Sequence, residues 1–201
     1  LPKLFQQKPK NNTIYPVVFK EEHTVRPNDP NHTFNLQEFF EHPELYHGVF
    51  EQYLPYLTVL VNAIYWEQKY PRLMRKEATR KAYEAGRLRI KVVGDISCDI
   101  NGAIEFTHKA TTPGEPLFTW NPKTDTATDG CRTDGVVVMA VDILPAEFPR
   151  DSSTAFSRAL MPFVEPMARA DWTADFAELN LPPEIKRAVI CLLYTSPSPR
   201  D

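Results

Sequence analysis

Glycine is scarce in this chain, seven in 201 residues. No Gly-x-Gly-x-x-Gly and no Walker-type run occurs, so the sequence holds no glycine-rich cradle for phosphate groups. Cysteine is scarce too. The three, Cys98, Cys131 and Cys191, have no metal-ligand spacing and cannot all pair, which fits free thiols in a reducing compartment. No apolar run approaches the roughly 18 residues of a membrane span, so no membrane partner is expected. Neither sign of charge dominates: 23 basic against 26 acidic residues leave a net charge of -3. That balance gives no electrostatic case for nucleic acid. The start, Leu1-Pro-Lys-Leu4, carries neither an initiator Met nor a signal-peptide pattern and reads as the middle of an open reading frame. The sequons Asn11-Asn-Thr13 and Asn31-His-Thr33 are therefore read as chance, and the chain as not secreted.

What is present is a set of three apolar runs, each stopping on a polar residue. They are Leu57-Thr-Val-Leu-Val-Asn62, Leu88-Arg-Ile-Lys-Val-Val-Gly-Asp95 and Val136-Val-Val-Met-Ala-Val-Asp142. Continuous apolar character suits strands covered on both faces of a parallel sheet. Ligands of open parallel sheets bind just beyond the carboxyl ends of the strands. Strands are expected at 57–62, 88–94 and 136–142, with a short edge strand at Ile14–Phe19 weakened by Pro16. Residues 1–12 and the Pro/Asn/Asp-rich stretch 21–35 read as loop. Asn35 can cap a helix carrying Leu36, Phe39 and Phe40, and Pro43 restarts it as a helix from Glu44 to Tyr53. A polar helix from Arg75 to Glu84 stops at Gly86. Residues 99–135 read as irregular, with short extended pieces around Ile104–Phe106 and Leu117–Trp120. Asp151-Ser-Ser153 caps a helix with a stripe of Phe156, Leu160, Phe163, Val164 and Met167, bent by Pro162 and Pro166. A last helix covers Glu184–Ile190. The order strand, helix, strand, loop, strand, helix is that of an α/β doubly wound sheet. With about four strands and few glycines, the sheet is expected to be incomplete. The tail Cys191-Leu-Leu-Tyr-Thr-Ser-Pro-Ser-Pro-Arg-Asp201 resembles a translated transposase sequencing adapter and is set aside as an artefact.

Three strand ends are the candidates for chemistry. Asn62 can donate to and accept from a ligand amide or ribose, or it can satisfy loop backbone. Asp95 could accept from a ribose hydroxyl or an ammonium, and Ser97 could donate to a carboxamide, or both could cap a local turn. Asp142 comes straight off an apolar run, where an unpaired carboxylate is costly, so a protein or ligand partner is expected. Other signals are weaker. His42 and His47 fall on different faces of a helix and do not make a metal pair. Cys98 sits among acids that raise a thiol pKa, so it is not read as a nucleophile. Tyr65, Trp66 and Tyr70 read as packing, and Arg72 to Lys81 as a solvated helix face.

The same blocks carry a family resemblance. Val61-Asn-Ala-Ile-Tyr-Trp-Glu-Gln-Lys-Tyr-Pro-Arg-Leu73, Gly94-Asp-Ile-Ser-Cys-Asp-Ile-Asn-Gly-Ala-Ile-Glu-Phe106 with Thr111-Thr112, and Ala140-Val-Asp-Ile-Leu-Pro-Ala-Glu-Phe-Pro-Arg150 resemble the lysine–ketoglutarate reductase half of bifunctional aminoadipic semialdehyde synthases. Glu41-His-Pro-Glu-Leu-Tyr46 is similar as well, and the likeness runs over about residues 1–190. It implies a fold of the alanine dehydrogenase and transhydrogenase-like group, in which a substrate domain and a Rossmann domain flank a cleft. It implies a reaction in which L-lysine and 2-oxoglutarate condense and the imine is reduced to saccharopine by NADPH, with NAD possible. Asn62, Ala63 and Ile64 would lie against the cofactor, Asp95, Ile96 and Ser97 at its ribose–nicotinamide end, and Asp142, Ile143, Leu144 and Pro145 would close the nicotinamide side. Residues 1–150 would be the later part of the Rossmann-type domain and 151–190 crossover helices returning toward an N-terminal domain; 191–201 is the artefact. The family's glycine loop would precede Leu1, its proton-transferring Lys and His would lie in the absent domain, and any second dehydrogenase half would follow Ile190. No catalytic residue is therefore assigned, and the chain alone is expected to be inactive. An NAD-dependent lysine-forming saccharopine dehydrogenase and a non-catalytic Rossmann-like binding module are the alternatives; Trp66-Glu67-Gln68 and Ile104-Glu-Phe106 favour the bifunctional type. The resemblance implies a mitochondrial or cytoplasmic protein.

Overall fold

The computed structural model describes residues 1–6, 10 and 12–189, without the side chains of Leu4 and Phe5. Asn11 of the first sequon, Ile190 and the adapter-like tail lie outside the described residues. The chain divides into two compact units, Leu1–Leu144 and Pro145–Asp201.

The first unit is built on a five-stranded sheet. Its strands are β3 (Val59–Asn62), β4 (Val92–Asp95), β5 (Leu117–Asn121), β6 (Thr126–Asp129) and β7 (Val136–Met139), in the order β3-β4-β7-β5-β6. A separate two-stranded ribbon pairs β1 (Val25–Pro27) with β2 (Tyr46–Gly48) antiparallel. The three expected strands all form, and β3, β4 and β7 run parallel. In-register pairing of Asn62 with Asp95 brings two of the polar strand ends side by side. The ladder of β4 starts later than expected because Arg89 and Lys91 give their amides to Leu54 and Thr58 outside it.

The sheet is mixed rather than purely parallel. In the stretch read as irregular, the extended piece expected around Leu117–Trp120 forms β5, which makes a hairpin with β6 and pairs antiparallel with β7. The turn is fixed by Asp125, which takes φ 53° and accepts from Trp120 Nε1 at 2.8 Å. Asp tolerates the left-handed region because its short side chain bonds locally. The core of the unit centres on this hairpin: Phe106 stacks on Trp120 at 4.3 Å between centroids, among Met74, Ile90, Val93, Ile104, Phe118 and Val138.

Two local expectations fail. Glu44–Tyr53 is not a helix but a 3-10 turn at Pro43–Leu45, then β2, then a second 3-10 turn at Phe50–Tyr53. Gly48 inside that run weakens a helix by about 1 kcal/mol, and its backbone is needed close to Pro71. Buried Tyr46 packs on Phe39 and Phe34 and donates to Glu38, which no continuous helix would allow. Ile14–Phe19 forms no strand; Pro16 lacks a donor, no described residue pairs with the segment, and Ile14 and Val18 stay 93% and 84% exposed. Phe19 is anchored against Phe50 and Tyr53, and the Tyr15 hydroxyl accepts from the Lys10 amide.

The helices of this unit are short. They are α1 (Pro2–Gln6) and α2 (Glu21–Thr24), both in stretches read as loop, then α3 (Leu36–Glu41), capped as expected by Asn35 Oδ1, and α4 (Lys76–Glu84). Gly86 ends α4 with φ 65°, the left-handed stop that favours glycine. A one-turn α5 (Leu144–Glu147) is followed in the second unit by α6 (Pro149–Arg169) and α7 (Pro183–Ala188). α6 starts at Pro149, not at the Asp151 cap, because proline is pre-organised for the first helical position. It runs through Pro162 and Pro166, and no residue of it is fully buried. Among the described residues no helix is long and apolar enough to cross a membrane.

Gly135 leads into β7 where a Cβ would collide with the Trp120 carbonyl, a backbone atom that cannot step aside. Gly135→Ala should therefore cost about 1–3 kcal/mol. Gly114→Ala, with nothing within 4 Å of its Cβ position, should be close to neutral. Urea unfolding of both variants checks the difference.

Candidate functional site

The strand ends are joined by a buried polar cluster. Asn62, last residue of β3, donates from Nδ2 to Asp95 Oδ1 at 2.8 Å. Thr107 donates from Oγ1 to Asp95 Oδ2 at 2.6 Å. All three side chains are buried. The Asn62 carbonyl also accepts from the Ile96 amide at 2.7 Å, and Ser97 Oγ donates to the Ile64 carbonyl at 2.5 Å. The loops after β3 and β4 are thus tied at both backbone and side-chain level.

The loop after β4 is wound tightly. Cys98 and Asn101 take φ 54° and 52°, and a Cβ at Gly102 would collide with Asp99. Arg72 holds the loop from outside, donating to the carbonyls of Gly102 at 3.1 Å and Asn101 at 2.9 Å. Cys98 Sγ donates to the Asp95 carbonyl. Burial raises its thiol pKa, and Asp95, Asp142 and Asp99 raise it further. That agrees with the reading of Cys98 as no nucleophile. At the end of β7, Thr111 exchanges bonds with Ala140: its amide donates to the Ala140 carbonyl at 2.8 Å, and its Oγ1 accepts from the Ala140 amide at 3.1 Å.

Burial also raises the Asp95 pKa, against the opposing effect of the Thr107 and Asn62 hydrogen bonds. The Asn62 Oδ1 is left over. Among the described residues it is a buried side-chain oxygen without a partner. Such an atom calls for a donor, from a ligand or a water.

The expected site residues separate into groups. Asn62, Ala63 and Ile64 line a groove of about 1230 Å³ along β3. Asp95 is buried behind Asn62, a structural partner more than a ligand-facing group. Ile96 is exposed and Ser97 half-buried beside it. Asp142 is exposed, and among the described residues no protein group bonds it, because the chain surfaces right after buried Val141; of the two partners expected, protein or ligand, the protein one is not there. Ile143 is exposed, Leu144 half-buried, and Pro145 opens the second unit. Thr107 was not anticipated; a lone Thr 12 positions after Asp95 carries no sequence signal. No group of His, Cys, Asp or Glu among the described residues could hold a metal.

The family description "Alanine dehydrogenase/PNT, C-terminal domain" matches residues 47–189, most of the chain. The chain belongs to this family. It is 37% identical over 184 residues to the alpha-aminoadipic semialdehyde synthase of Arabidopsis thaliana, which covers 90% of this chain and 16% of that protein. The mitochondrial alpha-aminoadipic semialdehyde synthase of Bos taurus is 30% identical over 188 residues, 87% of this chain and 20% of its own length. The NAD(+), L-lysine-forming saccharopine dehydrogenase of Schizosaccharomyces pombe is 31% identical over 110 residues, 52% of this chain and 26% of its own. The chain thus spans a fifth or less of the two synthases it matches.

Members of this family generally bind NAD(P), and the residues here fit one end of such a group. Exposed Ile64 and Ile96 offer apolar cover for a ring, while Asn62 Oδ1 and the Asp142 carboxylate offer acceptors for hydroxyl or amide donors. A pyrophosphate has no counterpart, since no glycine-rich turn in this sequence leads from a strand to a helix.

Two outcomes follow for the cluster. Thr107→Val leaves a buried Asp95 oxygen unpaired and should cost about 1–3 kcal/mol, whereas Thr107→Ser should be near neutral; urea unfolding reads both. Because the folded state holds the Asp95 proton more tightly than the unfolded chain, its contribution to stability is full below the unfolded value. It is lost as pH rises from about 4 through the raised folded value. Asp95→Asn keeps the bond from Asn62 on its oxygen and reverses the other, its amide nitrogen donating to the Thr107 hydroxyl; it should gain on the wild type as pH rises, and a constant difference across thermal melts at several pH values would refute this.

Proposed function

We propose that the chain is the later part, residues 1–150, of a Rossmann-type dinucleotide-binding domain in an oxidoreductase that forms saccharopine from L-lysine and 2-oxoglutarate. Residues 151–190 then carry crossover helices toward the substrate domain of the longer protein. The observation that carries the reading is the side-by-side ending of parallel β3 and β4 on Asn62 and Asp95. It lies within a region 37% identical to the alpha-aminoadipic semialdehyde synthase of Arabidopsis thaliana.

NADPH, when bound, supplies the hydride that reduces the imine. This chain's residues bind and orient. Asn62, with Ala63 and Ile64, meets the cofactor beyond β3, and its free Oδ1 accepts from a ribose hydroxyl or the carboxamide. Asp95 acts through Asn62. Ile96 and Ile143 exclude water from the ring, Ser97 holds the Ile64 carbonyl in place, and Asp142 accepts a hydrogen bond from a hydroxyl. Leu144 closes the same side. Proton transfer to and from the substrates falls to groups outside this chain. A second reading, an NAD-dependent saccharopine dehydrogenase, is supported by the Schizosaccharomyces pombe match, though over a shorter stretch.

The longer protein, assayed by NADPH oxidation with L-lysine and 2-oxoglutarate, should turn over, and the 201-residue chain should not. Asn62→Ala should raise the KM for NADPH roughly tenfold, the worth of one hydrogen bond of about 1.4 kcal/mol. Preference for NADH would favour the second reading. No imine reduction with either cofactor would overturn both.

A further inference from the structure

On the reading of this chain as part of a dinucleotide-binding domain, we propose that Thr107 is a specificity-determining residue. It acts through Asp95 on Asn62, so that the mouth of the sheet accepts the carboxamide N–H of a nicotinamide and turns away a methyl ketone of the same shape.

Hydrogen atoms decide the direction of the cluster. An ionised carboxylate only accepts, so whatever meets Asp95 must donate. Thr107 is 0% exposed and has one hydroxyl hydrogen, spent on Asp95 Oδ2 at 2.6 Å. Its backbone is pinned on both sides. Its amide donates to the Ile104 carbonyl at 3.0 Å, and its carbonyl accepts from the Asn101 amide at 2.8 Å. Asp95 Oδ1 then takes its hydrogen from Asn62 Nδ2 at 2.8 Å. With the amide turned over, Asn62 Oδ1 would face a carboxylate oxygen, two acceptors in contact inside the protein. Asn62 is thus held with its nitrogen on Asp95 and its oxygen unpaired among the described residues.

That oxygen is an acceptor of fixed orientation, on a residue that lines the groove of about 1230 Å³ together with Ile64. Ile96, whose amide donates to the Asn62 carbonyl at 2.7 Å, is exposed beside it. A nicotinamide ring lying against Ile64 and Ile96 carries its substituent toward Asn62, and a carboxamide brings N–H donors there. A ribose hydroxyl would not need the polarity, because a hydroxyl both donates and accepts and suits the amide in either orientation.

Removing the Thr107 hydroxyl undoes the preference. It leaves a buried Asp95 oxygen unpaired, which favours the neutral carboxyl. A neutral carboxyl donates, so Asn62 can turn over, meet it with Oδ1 and present Nδ2 to the ligand. Asp95→Asn reaches the same end by another route, since the introduced amide can also turn over and offer Asn62 a donor while Thr107 donates or accepts to match.

Calorimetric titration of the longer protein with NADP+ and with its 3-acetylpyridine analogue reads the preference directly. The wild type should bind NADP+ about tenfold to a hundredfold tighter, because the ketone lacks the donor and leaves a buried acceptor unpaired. Thr107→Val and Asp95→Asn should bring the two affinities within about threefold of each other. Thr107→Ser, which keeps the hydroxyl, should retain the wild-type ratio. Asp95→Asn keeps partners for both Asn62 and Thr107, so it decides the matter even if Thr107→Val does not fold. A loss of affinity for both dinucleotides alike, with the ratio unchanged, would make the cluster a support for the loop and overturn the proposal. Equal binding of both by the wild type would overturn it as well, a water then being the partner of Asn62 Oδ1. Binding of neither dinucleotide would overturn the dinucleotide reading itself and this proposal with it.

Discussion

A buried carboxylate without a cation holds this molecule's strand ends together. Asp95 has no ion-pair partner among the described residues; the Asn62 amide and the Thr107 hydroxyl carry it instead. Burying such a group costs free energy unless each oxygen is bonded, so the cluster tolerates only one arrangement of three segments. The end of β3, the end of β4 and the loop reaching Thr107 must all be in place at once. The Ile96 amide on the Asn62 carbonyl, the Asn101 amide on the Thr107 carbonyl and the Arg72 guanidinium on the loop then follow from that arrangement.

The strands were legible because buried parallel strands leave long apolar runs, and Val136-Val-Val-Met139 is as plain as such a run gets. The cap at Asn35 and the stop at Gly86 were legible because each depends on one residue's own chemistry. Of the hairpin β5–β6, the extended piece at Leu117–Trp120 was legible and β6 was not. Thr126-Ala-Thr-Asp129 has too little apolar character to announce a strand, and its position is set by Trp120 reaching Asp125. The helix expected at Glu44–Tyr53 failed for the converse reason: apolar spacing was right locally, but Tyr46 was needed in a different cluster.

At the strand ends the sequence marked residues that the fold brings together and left their roles open. Asn62 and Asp95 were singled out separately as alternatives between ligand and structure; the fold makes them one hydrogen-bonded unit, with Asn62 nearer the groove and Asp95 behind it. No sequence spacing reveals that two residues 33 positions apart will face each other. Asp142 went the other way. Its apolar approach suggested burial, but a strand's last residue can emerge into solvent within one step.

The separation in sequence also orders assembly. The Trp120–Asp125 bond closes over five positions, so the hairpin can form early and cheaply in chain entropy. The pairing of β3 with β4 must close a far longer loop, with α4 inside it. The mouth of the sheet, like the β4–β7 pairing beside it, therefore closes after the hairpin. Until it does, Leu57–Val61 remains an uncharged, β-branched stretch open to neighbouring chains. The same residues that make a good central strand make the nascent polypeptide prone to aggregate.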